Sequence, residues 1–374
     1  MPLDKKKVFI IIDILGIICV IILCYTKIIL PLLINNPLIQ DYAQDYIGAR
    51  ALLDKTKDLY PVLSDAFVDI GINWNASHLS THPPTAYLFA LPLSLLPIGI
   101  STYTWMFLML VCIILTFRFL GMNWKWSILT GVFSLVWPPT IWSLGQLTPI
   151  WLLGLVLAYK YREQPIRSGI FVALASLPKF LAAPALVYYV KHKKWSAFLG
   201  FMVVWFIALA ILLLIRPDSI SAYISVNTNN SMGQVFRQDN GALIVVAWRL
   251  GRWFGIAIVS SLILWALLSF HKSKGINEWA CIVWLGIAIL PITWTYSLLP
   301  LLPWLLLTIL RTKSFSRTLG IIALLLPYAA PVPTANPSII AFAIIVSGLS
   351  FCLGTKPDNV ELSQNNPSSI LFTN

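Results

Sequence analysis

Apolar runs close to the length of a bilayer crossing recur along this chain from one end to the other. The first extends from Val8 to about Leu33, and its charges, Asp13 and Lys27, lie near its two ends, where snorkelling rescues them. Such runs fix the fold class. Lipid offers the backbone no hydrogen-bond partners, so only helices or closed barrels cross it. Runs near the roughly 20 residues needed for a crossing, without strict alternation, specify helices. Of the 374 residues, 58% are hydrophobic and 11% charged, whereas a soluble domain has about 25% charged residues. Mean hydropathy is +0.82. The expectation is an all-α polytopic membrane protein with roughly eleven to thirteen membrane segments.

The charges orient it. Lys5, Lys6 and Lys7 precede the first run, which is too long for a signal-peptide core and lacks a small-residue cleavage site, so it is read as a retained helix with a cytoplasmic N-terminus. Further basic clusters fall at Lys160–Arg162 with Arg167, Lys191–Lys194, His271–Lys274, and Arg311–Lys313 with Arg317. They account for the net charge of +12 as a positive-inside bias and argue against a nucleic-acid partner. The five cysteines sit inside apolar runs without metal-ligand spacing and read as small buried hydrophobes; no metal is expected. Residues 1–354 form one transmembrane domain with outside loops at about 34–84 and 216–240. The polar tail, 355–374, is expected to be cytoplasmic and disordered. The expected location is the cell membrane, multi-pass, with both termini inside.

Asp41 to Pro84 is the longest polar interruption and holds Asp41, Asp45, Arg50, Asp54, Asp58, Asp65, Asp69, His78 and His82. Within it, Tyr42 to Leu53 suits a short amphipathic helix with Tyr42, Ile47, Ala51 and Leu52 toward the membrane. Thr85 to Pro97 is too short for a comfortable crossing, and is either a short span or re-entrant. About two dozen residues separate Arg167 from Lys191, enough for one crossing, yet both flanks are basic. The conflict resolves if Ile170–Pro178 goes partway out and Leu181–Val190 returns, with Lys179 at the turn. A lysine there is a functional candidate by default.

With this topology the outer face collects Asp41, Asp45, His82, Gln146, Lys179, Arg237, Asp239 and Trp294. The inner face collects only lysines, arginines and turns. A departing lipid phosphate needs positive charge, which Lys179 or Arg237 supplies. A hydroxyl acceptor needs a base, which Asp41 or Asp45 supplies. Asp54, Asp58, Asp65, Asp69 and His78 read as solvated surface, His192 and His271 as cytoplasmic charges, and most tryptophans as interface anchors. A transporter or lipid flippase stays open as an alternative, although transporters place ionisable groups near the midplane within repeated helices and no repeat is visible here. A ligase or polymerase of lipid-linked glycans also shares the outer-face logic.

Five patches in order resemble glycosyltransferase family 87, polytopic enzymes of the GT-C class. Asp41-Tyr42 and Tyr46 lead to Ala49-Arg50-Ala51-Leu52-Leu53 and Tyr60. His82-Pro83-Pro84 precedes Leu88–Leu93 and Leu96-Pro97. Gly145-Gln146 precedes a short helix. Gly169 to Lys179 leads to a helix, a basic cluster and Trp195. Pro291-Ile292-Thr293-Trp294 resembles the family's Pro-x-Ser-Trp. The chain departs from the pattern at Asp45, where an aromatic is usual, at Lys55 for Gly, at Leu59 for Pro, and at Tyr296, often His. The resemblance implies a polyprenyl-phosphate-linked sugar donor, with mannose expected, used on the outer side to glycosylate a lipid or glycan acceptor. It places the catalytic carboxylate on Asp41, with Asp45 one turn on to tune it or bind acceptor. It makes Arg50, His82, Gln146, Lys179, Arg237, Trp294 and Tyr296 candidates for binding donor or acceptor. It also implies inversion in one displacement and no cofactor.

Overall fold

A computed structural model of the chain describes residues 40–72, 79–134, 145–235, 240–290, 293, 295–312, 315–329 and 337–354. The expected first crossing, the tail, His78, Arg237, Asp239 and Trp294 lie outside the described residues. Among those described there are sixteen α-helices and no strand, with one isolated bridge pairing Val62 and Leu79.

The described chain opens with α1 (Gln40–Leu53) and α2 (Leu63–Val68), then reaches the seven-residue α3 (Pro84–Ala90). Seven residues rise only about 10 Å, so α3 does not cross; a 3-10 turn at Leu93–Leu95 leads on to α4 (Ile98–Phe119). Asn123 accepts from Trp126 N at 3.0 Å and caps α5 (Trp124–Phe133). After the segment 135–144 come α6 (Thr148–Lys160) and α7 (Pro165–Ser176), each with proline in its first turn, where no amide donor is lost. A 3-10 stretch, Phe180–Ala185, then leads into α8 (Leu186–Lys191), followed by α9 (Ser196–Ile215).

The remaining helices are α10 (Ser219–Val235), α11 (Leu243–Leu250), α12 (Arg252–Lys272), α13 (Ile276–Ala288), α14 (Leu302–Arg311), α15 (Phe315–Leu325) and α16 (Pro337–Leu353). A 3-10 stretch, Thr295–Leu301, precedes α14. The stretch expected as an outside loop at 216–240 is thus largely helical. Its polar side chains fold back on the helix rather than melt it: Asn227 Nδ2 donates to Tyr223 O at 3.0 Å and Thr228 Oγ1 to Ile224 O at 3.0 Å.

Helix length sorts the layers. α4, α9 and α12 are long and apolar enough to cross a membrane, about 30–33 Å each. Most of their surface faces away from the protein, as Phe107, Phe206 and Leu214 do. Seven shorter apolar helical segments of 10–17 residues lie among them. α13 is the most enclosed: every residue from Glu278 to Ala288 is buried, as a helix that is apolar all round requires.

α7 and the returning segment form a pair of half-length helices that start and finish together. Lys194 Nζ donates to Arg162 O at 3.1 Å and to Glu163 Oε2 at 2.7 Å, joining the two basic flanks. Ser168 Oγ donates to Ala158 O at 2.6 Å and is also hydrogen-bonded to the Tyr189 hydroxyl. α7 packs on α9 through glycine at both sides. A Cβ at Gly169 would overlap Ala197 O, and one at Gly200 would overlap Ile166 O, the close small-residue approach favoured between membrane helices.

α1 differs from expectation. Tyr42, Ala51 and Leu52, expected toward the membrane, are buried in the protein core, and Ile47 covers a small cluster of Ala43, Leu63 and Phe67. The following segments wrap the helix on both faces, so its apolar residues meet protein rather than lipid.

Candidate functional site

α1 is the element that carries the carboxylates, and aromatic packing fixes its position. Tyr42 stacks on Trp105 of α4 with ring centroids 4.7 Å apart, and its hydroxyl is bonded to Ser101 Oγ. Trp105 Nε1 in turn donates to Gly145 O at 2.9 Å. Gly145 has φ 67°, the left-handed region that glycine enters without strain, and it turns the chain so that Gln146 follows at the foot of α6. α1 therefore contacts the Gln146 turn through two rings. Its other end is clamped by buried Arg216, whose Nη1 donates to Ala51 O at 2.5 Å and Lys57 O at 2.9 Å.

Asp41 occupies the first turn of α1, where a negative charge is favoured by the helix dipole. It is half-buried, and its Oδ1 accepts from Gln44 Nε2 at 3.2 Å. Asp45, one turn on, is 1% exposed. Its Oδ1 accepts from His82 Nδ1 at 2.8 Å, while Oδ2 has no partner among the described residues. His82 is held from behind: Tyr60 OH donates to its carbonyl at 3.2 Å, and Pro83, with φ −66° and ψ 150°, sets the extended backbone before α3. Burial, reinforced by the adjacent Tyr87 phenol, pushes the Tyr60 phenol well above its ordinary value, so it remains a donor.

Lys179 stands at the break between α7 and the 3-10 stretch. Thr85 Oγ1 donates to Leu177 O at 2.5 Å, joining the start of α3 to that break. Lys179 Nζ donates to Gln146 Oε1 at 3.5 Å, and the acidic charges acting on it are those of Asp41 and Asp45.

Beside these residues lies a cavity of about 540 Å³, within the usual range for ligand pockets. His82, Gln146, Lys179, Thr81, Thr85 and Thr148 supply its polar wall. Phe180, Leu181, Trp205, Leu209, Ile220 and Leu290 supply an apolar one. No carboxylate lines it among the described residues; Asp45 reaches its lining through the hydrogen bond to His82. Such a space suits a ligand with an anionic head and a hydrocarbon body.

The structure thus brings Asp45, His82, Gln146 and Lys179 together, with Asp41 on the same helix as Asp45. Arg50 does not join them: it is exposed, with its guanidinium 5.7 Å from the Tyr46 ring. The Tyr296 backbone lies in the 3-10 stretch before α14, and Arg237 and Trp294 lie outside the described residues. Thr85, Ser176, Tyr223, Asn227 and Ser297 also border the cavity and were not anticipated. Tyr223 and Asn227 are one helical turn apart in α10, a signal visible only once that stretch is known to be helical.

Sequence reasoning also missed a buried carboxylate on the basic side. Glu278 Oε1 accepts from Lys191 Nζ at 2.6 Å and from His192 Nε2 at 2.9 Å.

The sequence model for glycosyltransferase family 87 matches residues 81–297, more than half of the chain. The matched span contains His82, Gln146 and Lys179 and begins after α1. No curated protein and no solved structure gives a significant match.

Proposed function

We propose that this chain, which belongs to glycosyltransferase family 87 and is a membrane glycosyltransferase, moves a hexose from a polyprenyl-phosphate donor to a lipid or glycan acceptor. Mannose is the first sugar to try. The reaction is placed on the extracytoplasmic face of the cell membrane, in a GT-C-type architecture, and proceeds with inversion. One observation carries the reading: Asp45, on the helix that also carries Asp41, is hydrogen-bonded to His82, and His82, Gln146 and Lys179 line one cavity together with apolar residues.

In this reading the polyprenyl chain lies along Phe180, Trp205 and Leu209, and its phosphate faces Lys179. The acceptor hydroxyl gives its proton to the Asp41 carboxylate as its oxygen attacks the anomeric carbon. The bond from that carbon to the phosphate oxygen breaks, its electron pair stays with the phosphate, and Lys179 offsets the charge that develops. Gln146 keeps the ammonium in place through its Oε1.

The test is transfer of radiolabelled hexose from a polyprenyl-phosphate hexose by purified protein. Asp41→Asn is expected to lower kcat by roughly 10²–10⁴-fold, the usual worth of a general base. Wild-type turnover in that variant removes Asp41 as the base. Absence of transfer by the unmodified protein from a panel of such donors removes the reading.

A further inference from the structure

Asp45 and His82 form a pair whose geometry differs from that of a second base. Asp45 is buried, does not line the cavity, and spends Oδ1 on His82 Nδ1. A carboxylate on Nδ1 fixes which ring nitrogen carries that proton and orients the ring. Three further contacts restrain the same residue: Tyr60 OH on its carbonyl, Ser80 Oγ on its amide at 3.4 Å, and the two prolines that follow. The opposite nitrogen, Nε2, makes no hydrogen bond to any described residue, and His82 is one of the residues that line the cavity. On that wall the charged neighbour is Lys179, and no carboxylate is present among the described lining residues. A wall of this composition receives an anion. Toward an anion, a ring held through Nδ1 has Nε2 as its one remaining hydrogen-bonding atom.

We infer that Asp45 is a positioning residue, holding His82 through Nδ1 so that Nε2 donates, beside Lys179, to the phosphate of the lipid-linked donor. The inference rests on the polyprenyl-phosphate reading for the identity of the anion, and it changes the part played by the acids of α1. Asp41 keeps the acceptor role given to it in that reading, while Asp45 acts on the donor side through the ring it holds. The unusual acid at position 45 and the histidine at position 82 become one device.

The test is direct binding of geranylgeranyl phosphate and of geranylgeraniol to the purified full chain in detergent, with no turnover required. Two substitutions divide the ring's functions. His82→Asn keeps a group for Asp45 and leaves nothing at the position of Nε2. His82→Gln places an amide donor near the position of Nε2. His82→Asn and Asp45→Asn are expected to weaken phosphate binding by roughly ten- to a hundredfold, the worth of one hydrogen bond to a charged group. His82→Gln is expected to keep most of the affinity, and binding of the alcohol is expected to be unchanged in all three. Equal losses for phosphate and alcohol would overturn the inference, because they mark a merely structural pair. So would unchanged phosphate affinity in His82→Asn. Failure of the unmodified chain to transfer sugar, with phosphate binding still dependent on His82, would remove the proposed reaction and leave this assignment standing.

Discussion

Thr85 Oγ1 donates to the carbonyl of Leu177 at 2.5 Å, across 92 positions of sequence. The last carbonyls of a helix lack intrahelical donors, and Leu177 is the residue that closes α7 immediately before the Lys179 break. One hydroxyl therefore joins the segment carrying His82 to the segment carrying Lys179. It gives a physical reason for a threonine after His-Pro-Pro.

Thr85→Val keeps the shape and removes the donor. The buried Leu177 carbonyl then lacks its partner, at a cost of about 1–3 kcal/mol. The expected result is a lower unfolding temperature in detergent together with a raised KM for the sugar donor, since His82 and Lys179 lose their common tether. Thr85→Ser should restore both. A fall in stability with unchanged donor KM would show that the tether does not position the site.

Lys179 carries the positive charge of the cavity wall, held by Gln146 and facing the charges of Asp41 and Asp45. Lys179→Met is expected to lower kcat by roughly 10²–10³-fold, comparable to loss of one preorganised oxyanion donor. Lys179→Arg should recover only part of this, because a planar fork does not replace a point charge at a fixed position. Steady-state transfer assays on both variants check the ordering, and equal activity in Met and Arg variants would contradict it.

Much of this site was legible before any coordinates. Asp41 and His82 stood out as members of the longest polar interruption, Gln146 by its place in an outer turn, and Lys179 as a lysine between two apolar stretches, where an ionisable group has few structural uses. The half-length pair around Lys179 followed from arithmetic: basic flanks at both ends and too few residues for two crossings. The orientation of α1 was not legible. Tyr42, Tyr46 and Ala49 pack on one side while Ala43 and Ile47 pack on another, so the helix has no distinct apolar face, and its burial depends on segments that wrap it later. The Asp45–His82 pair was equally hidden, since nothing local distinguishes a carboxylate that meets a histidine 37 positions on from one that meets water. The α10 helix was missed because Asn and Ser count against helices in isolation, whereas here they bond back to their own turn.

Arg216 ends the long α9 and reaches the far end of α1, donating through Nη1 to Ala51 O and Lys57 O while its Nε faces Asp218 at 3.2 Å. Asp218 is largely exposed, so the carbonyl bonds dominate. Arg216→Met retains much of the stem and removes the donors, leaving the buried Ala51 carbonyl unsatisfied at a cost of about 1–3 kcal/mol. The expected outcome is a clear drop in thermal stability and faster proteolysis in the 54–62 segment. Asp218→Asn should leave both nearly unchanged. Equal effects of the two substitutions would shift the weight from the carbonyl clamp to the ion pair.

Glu278 begins the buried span of α13 and meets Lys191 at 2.6 Å and His192 at 2.9 Å, and Lys191 Nζ also donates to Phe270 O at 2.7 Å and Ser273 O at 3.0 Å. The carboxylate therefore links α8, the end of the half-length pair, to α13 and the end of α12. Removing one member of a buried pair leaves the other charged and uncompensated, at a cost of about 3–5 kcal/mol. Glu278→Gln should lower the unfolding temperature sharply, with little relief from added salt, because buried pairs are screened much less than exposed ones. Lys191→Met should also destabilise. The double variant should lose less than the two single losses combined, since the charge left behind in each single variant is gone. Strict additivity in that cycle would mean the contact is incidental, and that the two residues contribute through separate packing.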